Sequence, residues 1–345
     1  MVMAEALPPR RGRILKHVVE EYVVTAQPVS SDTVMRKYVP NVSSATVRNE
    51  MAALEEVGYL YSPHTSAGRV PSDSGYRYYV EWLMPGARLA DDEQRLISHQ
   101  FHQVELDVGE WVRLAAVILS TRVQNLVMVA PPVEQVSRLR HVDFVRIGPA
   151  TVLVVVVLRS GAVRQTVIRL SADVDASQLV KLANEWNLTL EGMTSGEIRS
   201  MSFQTSYAEI LDAAIHLLAD ADRHTGTGTE DFRIEGLRYI ASQPEFGTSD
   251  RLQPVVEALE RQGVLNSLME PLLRSQGVYV AIGQEQPLER LRDCSVVIAR
   301  YGRAGEMLGV VGVIGPTRLP YWRAVPMVRY VAGMLDQLLE ETFLS

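Results

Sequence analysis

The chain has 345 residues, 47% hydrophobic and 22% charged, which is enough apolar material for two or three folded domains and excludes wholesale disorder. Its longest purely apolar run, residues 152–158, falls far short of the roughly 20 residues that span a bilayer, and residues 1–9 hold no stretch apolar enough for a signal peptide. A lone cysteine, Cys294, allows no intrachain disulfide and fits a reducing, cytoplasmic setting. The net charge of −7 is unevenly spread: residues 1–90 carry 10 Lys+Arg and 9 Asp+Glu, the remainder 24 and 32. A nucleic-acid contact in the first part would therefore rest on a few placed groups, used in two copies, more than on a broad positive field.

Residues 11–26 read as a helix, with Ile14, Leu15, Val18, Val19, Tyr22 and Val23 on one face. Arg10, Arg11, Arg13 and Lys16 stand near its start, placed either to touch phosphates or simply to form a solvated face. Residues 29–38 form a short helix with a serine start, broken by Val39-Pro40-Asn41-Val42. The next helix is capped by Ser43 and closed at Gly58, with Val47, Met51, Leu54 and Val57 as its buried stripe. Ser44, Thr46, Arg48 and Asn49 fall off that stripe in the first turns. Hydroxyls, an amide and a guanidinium at a helix start are the groups that reach phosphates and base edges in the major groove. Helix, turn, polar-started helix is the helix-turn-helix arrangement. Residues 59–61 and 69–71 then flank a polar loop, so a small β-hairpin, or wing, follows, with donors His64, Thr65, Ser66 and Arg69 suited to a phosphate backbone. An amphipathic helix and ordinary loop in an unrelated domain is the competing reading.

Tyr76, Tyr78, Tyr79 and Trp82 invite two readings: base-stacking platforms, or anchors that pin residues 72–84 onto a core. The second is favoured, because duplex binders seldom need stacking. Pro85-Gly86 marks a boundary, and residues 91–121 read as one long helix that Gly109 kinks or splits. His99 and His102 lie on it without a second ligand pair, so no metal site is expected. Residues 125–130 form a strand ended by Pro131-Pro132, and residues 139–147, 151–159 and 163–170 an antiparallel meander. Its middle strand is apolar on both faces and needs cover on both, from helices or from a partner subunit. Helices over 176–190, 194–201 and 207–221 follow, where Asp173 and Asp175 read as caps more readily than as a paired-carboxylate site. Beyond a Thr/Gly-rich connector near 224–230, helices are expected over 252–262 and 264–273. Strands are expected over 278–282, 294–300 and 307–314, and a terminal helix over 327–343.

Several segments resemble the HrcA family of bacterial heat-inducible transcription repressors. They are Pro28-Val29-Ser30-Ser31, Ser43-Ser44-Ala45-Thr46-Val47-Arg48-Asn49-Glu50-Met51, residues 63–71, Gly75-Tyr76-Arg77-Tyr78-Tyr79-Val80, Ser295-Val296-Val297 and residues 312–318. The matches keep their order and lie at both ends of the chain. One departure is Leu319-Pro320-Tyr321, where the family more often has Met-Asp-Tyr.

The expected fold class is α+β. An N-terminal winged helix-turn-helix occupies residues 1–88. The resemblance implies a GAF-like domain (89–136 and 227–345) interrupted by an inserted antiparallel-sheet-plus-helices dimerisation domain (137–226). It also implies a homodimer on an inverted-repeat operator of chaperone genes, and a repressor kept active by the chaperonin GroEL, so that heat shock relieves repression. The alternative is a regulator whose GAF-like domain senses a small molecule. The candidate DNA-binding residues are Ser43, Ser44, Thr46, Arg48, Asn49, His64, Thr65 and Arg69. No cofactor, metal or membrane partner is expected. No lysine follows a glycine, Gly309, Gly312 and Gly315 are not spaced as a dinucleotide loop, and no Gly-x-Ser-x-Gly or His-Glu-x-x-His occurs. The chain is therefore read as a non-enzyme.

Overall fold

The computed structural model describes residues 6–64, 68–84, 86–104, 107–134, 137–159, 161–201, 207–225, 232–260, 277–303 and 307–343. Three helices open it: α1 (Pro9–Thr25), α2 (Ser31–Tyr38) and α3 (Ser44–Glu56). They bury a shared set of side chains, Ile14, Leu15, Val18 and Val19 of α1, Val34 of α2, and Val47, Met51 and Leu54 of α3. Val57, expected on the same stripe, is 54% exposed because it caps the helix from outside. Gly58, at φ +80°, then turns the chain. Its N–H donates to the Glu55 carbonyl at 3.0 Å, and the Tyr59 N–H donates to the Leu54 carbonyl at 2.9 Å. These bonds satisfy carbonyls left free at a helix end.

β1 (Leu60–Tyr61) and β2 (Val70–Pro71) pair antiparallel, Leu60 opposite Pro71. α4 (Asp73–Tyr78) follows and runs on as one π-helical turn, Tyr79–Leu83. Tyr76, Tyr78 and Tyr79 are buried and Trp82 is half-exposed, so these aromatics serve mainly as packing. The single helix expected over 91–121 is instead two, α5 (Asp91–His102) and α6 (Val108–Val123). The Asp107 carboxylate accepts from the Glu110 N–H at 2.9 Å and starts the second, so the break precedes Gly109.

β3 (Leu126–Glu134) runs through Pro131-Pro132 rather than ending there. The following segment is the expected meander, β4 (Leu139–Gly148), β5 (Thr151–Leu158) and β6 (Val163–Arg169), antiparallel throughout. α7 (Ala176–Leu190), α8 (Ser195–Ser200) and α9 (Ala208–Thr225) come next. Val152, Val154, Val156 and Leu158 are buried in one cluster with Leu182, Trp186, Ile210 and Leu218. The alternate residues Leu153, Val155 and Val157 are only half-buried, and beside them Val145, Val163 and Val167 are exposed. Asp175 caps α7 and Asp173 pairs with Arg146 at 2.9 Å, so both carboxylates have structural work.

β7 (Arg233–Glu235) and α10 (Leu237–Ala241) have no counterpart in the sequence expectation. They precede α11 (Ser249–Glu260), β8 (Val278–Ile282), β9 (Cys294–Gly302), β10 (Met307–Pro316) and α12 (Tyr321–Phe343). The helix expected over 264–273 falls outside the described residues. Five strands join in the order β7-β3-β10-β9-β8. β7 pairs with Val127, Met128 and Val129 alone, so the two prolines of β3 interrupt no bond on that side. Alternation sends Val127 and Val129 to one face, with Ala115, Val328 and Leu335, and Leu126 and Met128 to the other, with Ile240, Phe246 and Val255. α12 begins before Pro326, not after it, because Ala324, Val325, Met327 and Val328 are all buried and reward the extra turn.

The chain divides into two compact units, one of Met1–Pro131, Phe232–Tyr301 and Val310–Ser345, the other of Pro132–Asp231 and Gly302–Gly309. Among the described residues no helix is long and apolar enough to cross a membrane. Within the first unit, α4 approaches β1 so closely that a Cβ on Gly75 would sit 2.1 Å from the Tyr59 carbonyl oxygen. Gly75→Ala is therefore expected to destabilise the protein by about 1–3 kcal/mol, read as a lower denaturant midpoint with unchanged slope.

Candidate nucleic-acid interface

The start of α3 carries most of the candidate residues. Ser43 is its cap: the hydroxyl accepts from the Thr46 N–H at 3.2 Å and lies 2.9 Å from the Thr46 hydroxyl. Ser44 donates to the Asp32 carboxylate of α2 and lies 3.3 Å from the Ser31 hydroxyl. Its hydroxyl thus helps hold the two helices in register. Arg48 and Asn49 are exposed and make no hydrogen bond or ion pair among the described residues. They follow buried Val47 by one and two residues, which turns them away from the core.

The hairpin contributes differently from residue to residue. His64 is exposed at its described edge, and Thr65 and Ser66 lie outside the described residues. Arg69 exchanges backbone bonds with Val29 at 2.8 and 2.9 Å, and its guanidinium pairs with Glu55 of α3 at 2.8 Å. Gly68 permits this approach, since a Cβ there would lie 2.4 Å from the Val29 backbone. The Arg69 side chain therefore braces the hairpin against α3.

Acidic partners, which sequence spacing did not expose, neutralise much of the surrounding positive charge. Glu50 of α3 takes Arg11 at 2.9 Å and Arg10 at 3.5 Å. Glu21, largely buried, accepts from Lys37 at 2.6 Å and from the Tyr38 hydroxyl at 2.8 Å, tying α1 to α2. The Lys37 ammonium holds the Glu21 carboxyl below the usual carboxylate range, against the opposing effect of burial. Burial and the bond to Glu21 push the Tyr38 hydroxyl up to about 12. Within α1 to α3 and the described part of the hairpin, the cations left without an ion pair are Arg13, Arg36 and Arg48. These partners lie far apart in the chain, 16 residues for Lys37–Glu21 and 39 for Arg11–Glu50, so no local pattern announces them.

Elsewhere, His99 and His102 bond their own helix neighbours, Gln103 and the Ser98 carbonyl. Among the described residues no group of three or more metal-ligating side chains gathers. An open groove of about 640 Å³ lies between α6 and the start of α12, edged by Arg122 and Arg323, which share Glu93.

Comparison with known proteins matches residues 109–325 to the family model described as HrcA protein C terminal domain. The heat-inducible transcription repressor HrcA of Roseiflexus sp. (strain RS-1) is 40% identical over 99% of this chain and 97% of its own length. The protein of the same name from Herpetosiphon aurantiacus is 38% identical over 98% of this chain and 96% of its own. A solved structure described as a hypothetical protein at 2.2 Å resolution covers 98% of this chain and 100% of its own, at 24% identity and a TM-score of 0.64, and so shares the fold.

The cap at Ser43 can be weighed directly. Ser43→Ala is expected to cost about 1 kcal/mol of stability while Ser43→Asp costs little, measured by denaturant unfolding of the full chain.

Proposed function

Because the chain belongs to the HrcA family of heat-inducible transcription repressors, we propose that it silences its genes as a dimer on double-stranded DNA, each copy reading one half of an inverted repeat. The observation that carries this reading is the outward, unpartnered pair Arg48 and Asn49 at the start of a helix whose other side is locked into a core. α1 to α3 and the β1–β2 hairpin are read as a winged helix-turn-helix. α3 enters the major groove, where a guanidinium suits the O6/N7 edge of guanine and a carboxamide the N6/N7 edge of adenine. Ser44 and Thr46 lie beside the phosphates, Ser43 keeps the helix start intact, and His64 and Thr65 reach the backbone from the wing. Arg69 holds that wing in place.

Residues 1–88 form the DNA-binding domain. The five-stranded sheet with α12, within 89–136 and 227–345, is read as the GAF-like domain, and 137–226 as the dimerisation domain inserted into it. The outer face of the meander is what a second copy would cover. Val145, Leu153 and Val167 stand in one cross-strand row there, and symmetric pairing of two such faces is the commonest way to remove them from water. The targets are chaperone genes, the setting is the cytoplasm, and GroEL keeps the repressor competent until unfolded proteins draw the chaperonin away.

One titration tests the reading. Affinity of the full chain for a duplex carrying the inverted repeat is measured at several salt concentrations, alongside Val167→Glu. With Arg48 on a base edge, Arg13 and Arg36 of each copy give about four phosphate contacts per dimer, so log K should fall against log salt with a slope of about −4. Val167→Glu should behave as a monomer and lose the advantage of the second half-site. Binding indifferent to salt and to sequence, or an undiminished Val167→Glu dimer, would contradict it.

A further inference from the structure

The first unit contains a second, polar connection that DNA contact alone does not require. α4 and the end of α1 are fastened to the five-stranded sheet and its flanking turns at three points. Arg318, just after β10, is nearly buried. Its guanidinium pairs with Glu245, donates to the Gln243 side chain at 2.6 Å, and donates to the Val23 carbonyl at 3.0 Å. Val23 lies in the last turn of α1, where carbonyls have no helical partner and a cation is favoured. Arg77 of α4 donates to Glu285 at 2.8 Å and to the Val280 carbonyl of β8 at 2.7 Å. Asp73, at the start of α4, accepts from the Gln284 N–H at 2.9 Å, and Gly283, at φ +51°, leaves room for it: a Cβ there would lie 2.1 Å from the carboxylate.

Between these points the Tyr76 and Tyr321 rings lie 5.7 Å apart and the Tyr79 and Trp322 rings 6.3 Å apart. The apolar core runs without interruption from α1 through α4 to α12. Both arginines span long stretches of chain: 208 residues separate Arg77 from Glu285, and 295 separate Arg318 from Val23. None of these side chains lies on the exposed face of α3.

We propose that this seam is the element that sets which spacing between operator half-sites the repressor accepts, with Arg318 and Arg77 as positioning residues. The proposal rests on the reading of the chain as a dimeric repressor. A dimer gains from its second half-site only to the extent that the second module is held where that half-site lies. Half-sites shifted by about half a helical turn, roughly 5 bp, face the other side of the duplex. A module held by three polar fastenings cannot follow them. One that has lost its fastenings can, at the cost of weaker binding to the correct spacing.

The full-length protein is compared with two variants, Arg77→Gln and the double change Arg318→Met with Glu245→Gln, which avoids stranding a lone carboxylate. Each is titrated with a single half-site, with the native inverted repeat, and with repeats whose spacer is lengthened by roughly 5 bp. Half-site affinity should stay within about twofold of the wild type, while affinity for the native repeat falls at least about tenfold. The penalty for the lengthened spacer should shrink by a similar factor. Hydrogen exchange on the same samples should show the Gln284 amide losing protection while the amides of α3 keep theirs.

An unchanged spacer penalty in both variants would overturn the proposal. So would half-site and full-site affinities falling in step, since that is the signature of a general folding defect. If the wild type binds neither a half-site nor a repeat, the repressor reading itself fails. The exchange measurement then still judges the seam, which is refuted if Gln284 protection is unmoved in both variants.

Discussion

The angular phase of α3 is the constraint on which the rest of the N-terminal module depends. Successive residues advance by roughly 100° around a helix, so burying Val47, Met51 and Leu54 against α1 decides which side chains face out. Each buried aliphatic or methionine side chain is worth about 1.5–3 kcal/mol. Rotating the helix to hide Arg48 would forfeit that gain and bury a charge as well. The Ser43 cap and the Gly58 turn fix the two ends, so neither length nor phase is free to slip. A helix secured in this way presents its first turns to solvent as a rigid polar edge, and rigidity is what allows a few contacts to discriminate between sequences.

The module is weakly charged, and the ion pairs explain how that is compatible with a nucleic-acid surface. Glu50 is shared by Arg10 and Arg11, while Glu55 offsets Arg69 and Glu21 offsets Lys37. Those pairs hold α1, α2, α3 and the hairpin together, while the charge left over is concentrated in a few arginines. Exposed ion pairs contribute little stability individually. In the proposed repressor their larger effect is to limit non-specific attraction, which would leave affinity to the placed groups of α3 and to the second copy. This division of labour fits the family to which the chain belongs, whose relatives are named transcription repressors.

Much of the fold was legible because the signals were local. Caps at Ser30, Ser43 and Asp175, the period of the apolar residues in α1 and α3, and the turn residues between β4, β5 and β6 lie within a few positions of what they specify. What escaped depends on distant partners. The sheet carries β3 through its two prolines because β7, about a hundred residues on, stops pairing at Val129. α12 starts ahead of Pro326 because the core buries that first turn. The candidate site shows the same split. The outward placement of Arg48 and Asn49 follows from helical period alone, whereas the engagement of Ser44 with Asp32 and of Arg69 with Glu55 is visible only once the chain is folded. The aromatic run around Tyr76 was readable as packing, but not which element it packs on.

The most direct measurement is the affinity of the full-length protein for an inverted-repeat operator, wild type against Arg48→Ala, with folding of the variant verified by its unfolding midpoint. A guanidinium that meets a base edge or phosphate predicts a loss of about 1–3 kcal/mol for each such contact removed. A well-folded Arg48→Ala protein that binds the operator as tightly as the wild type would contradict the assignment of α3 as the reading helix.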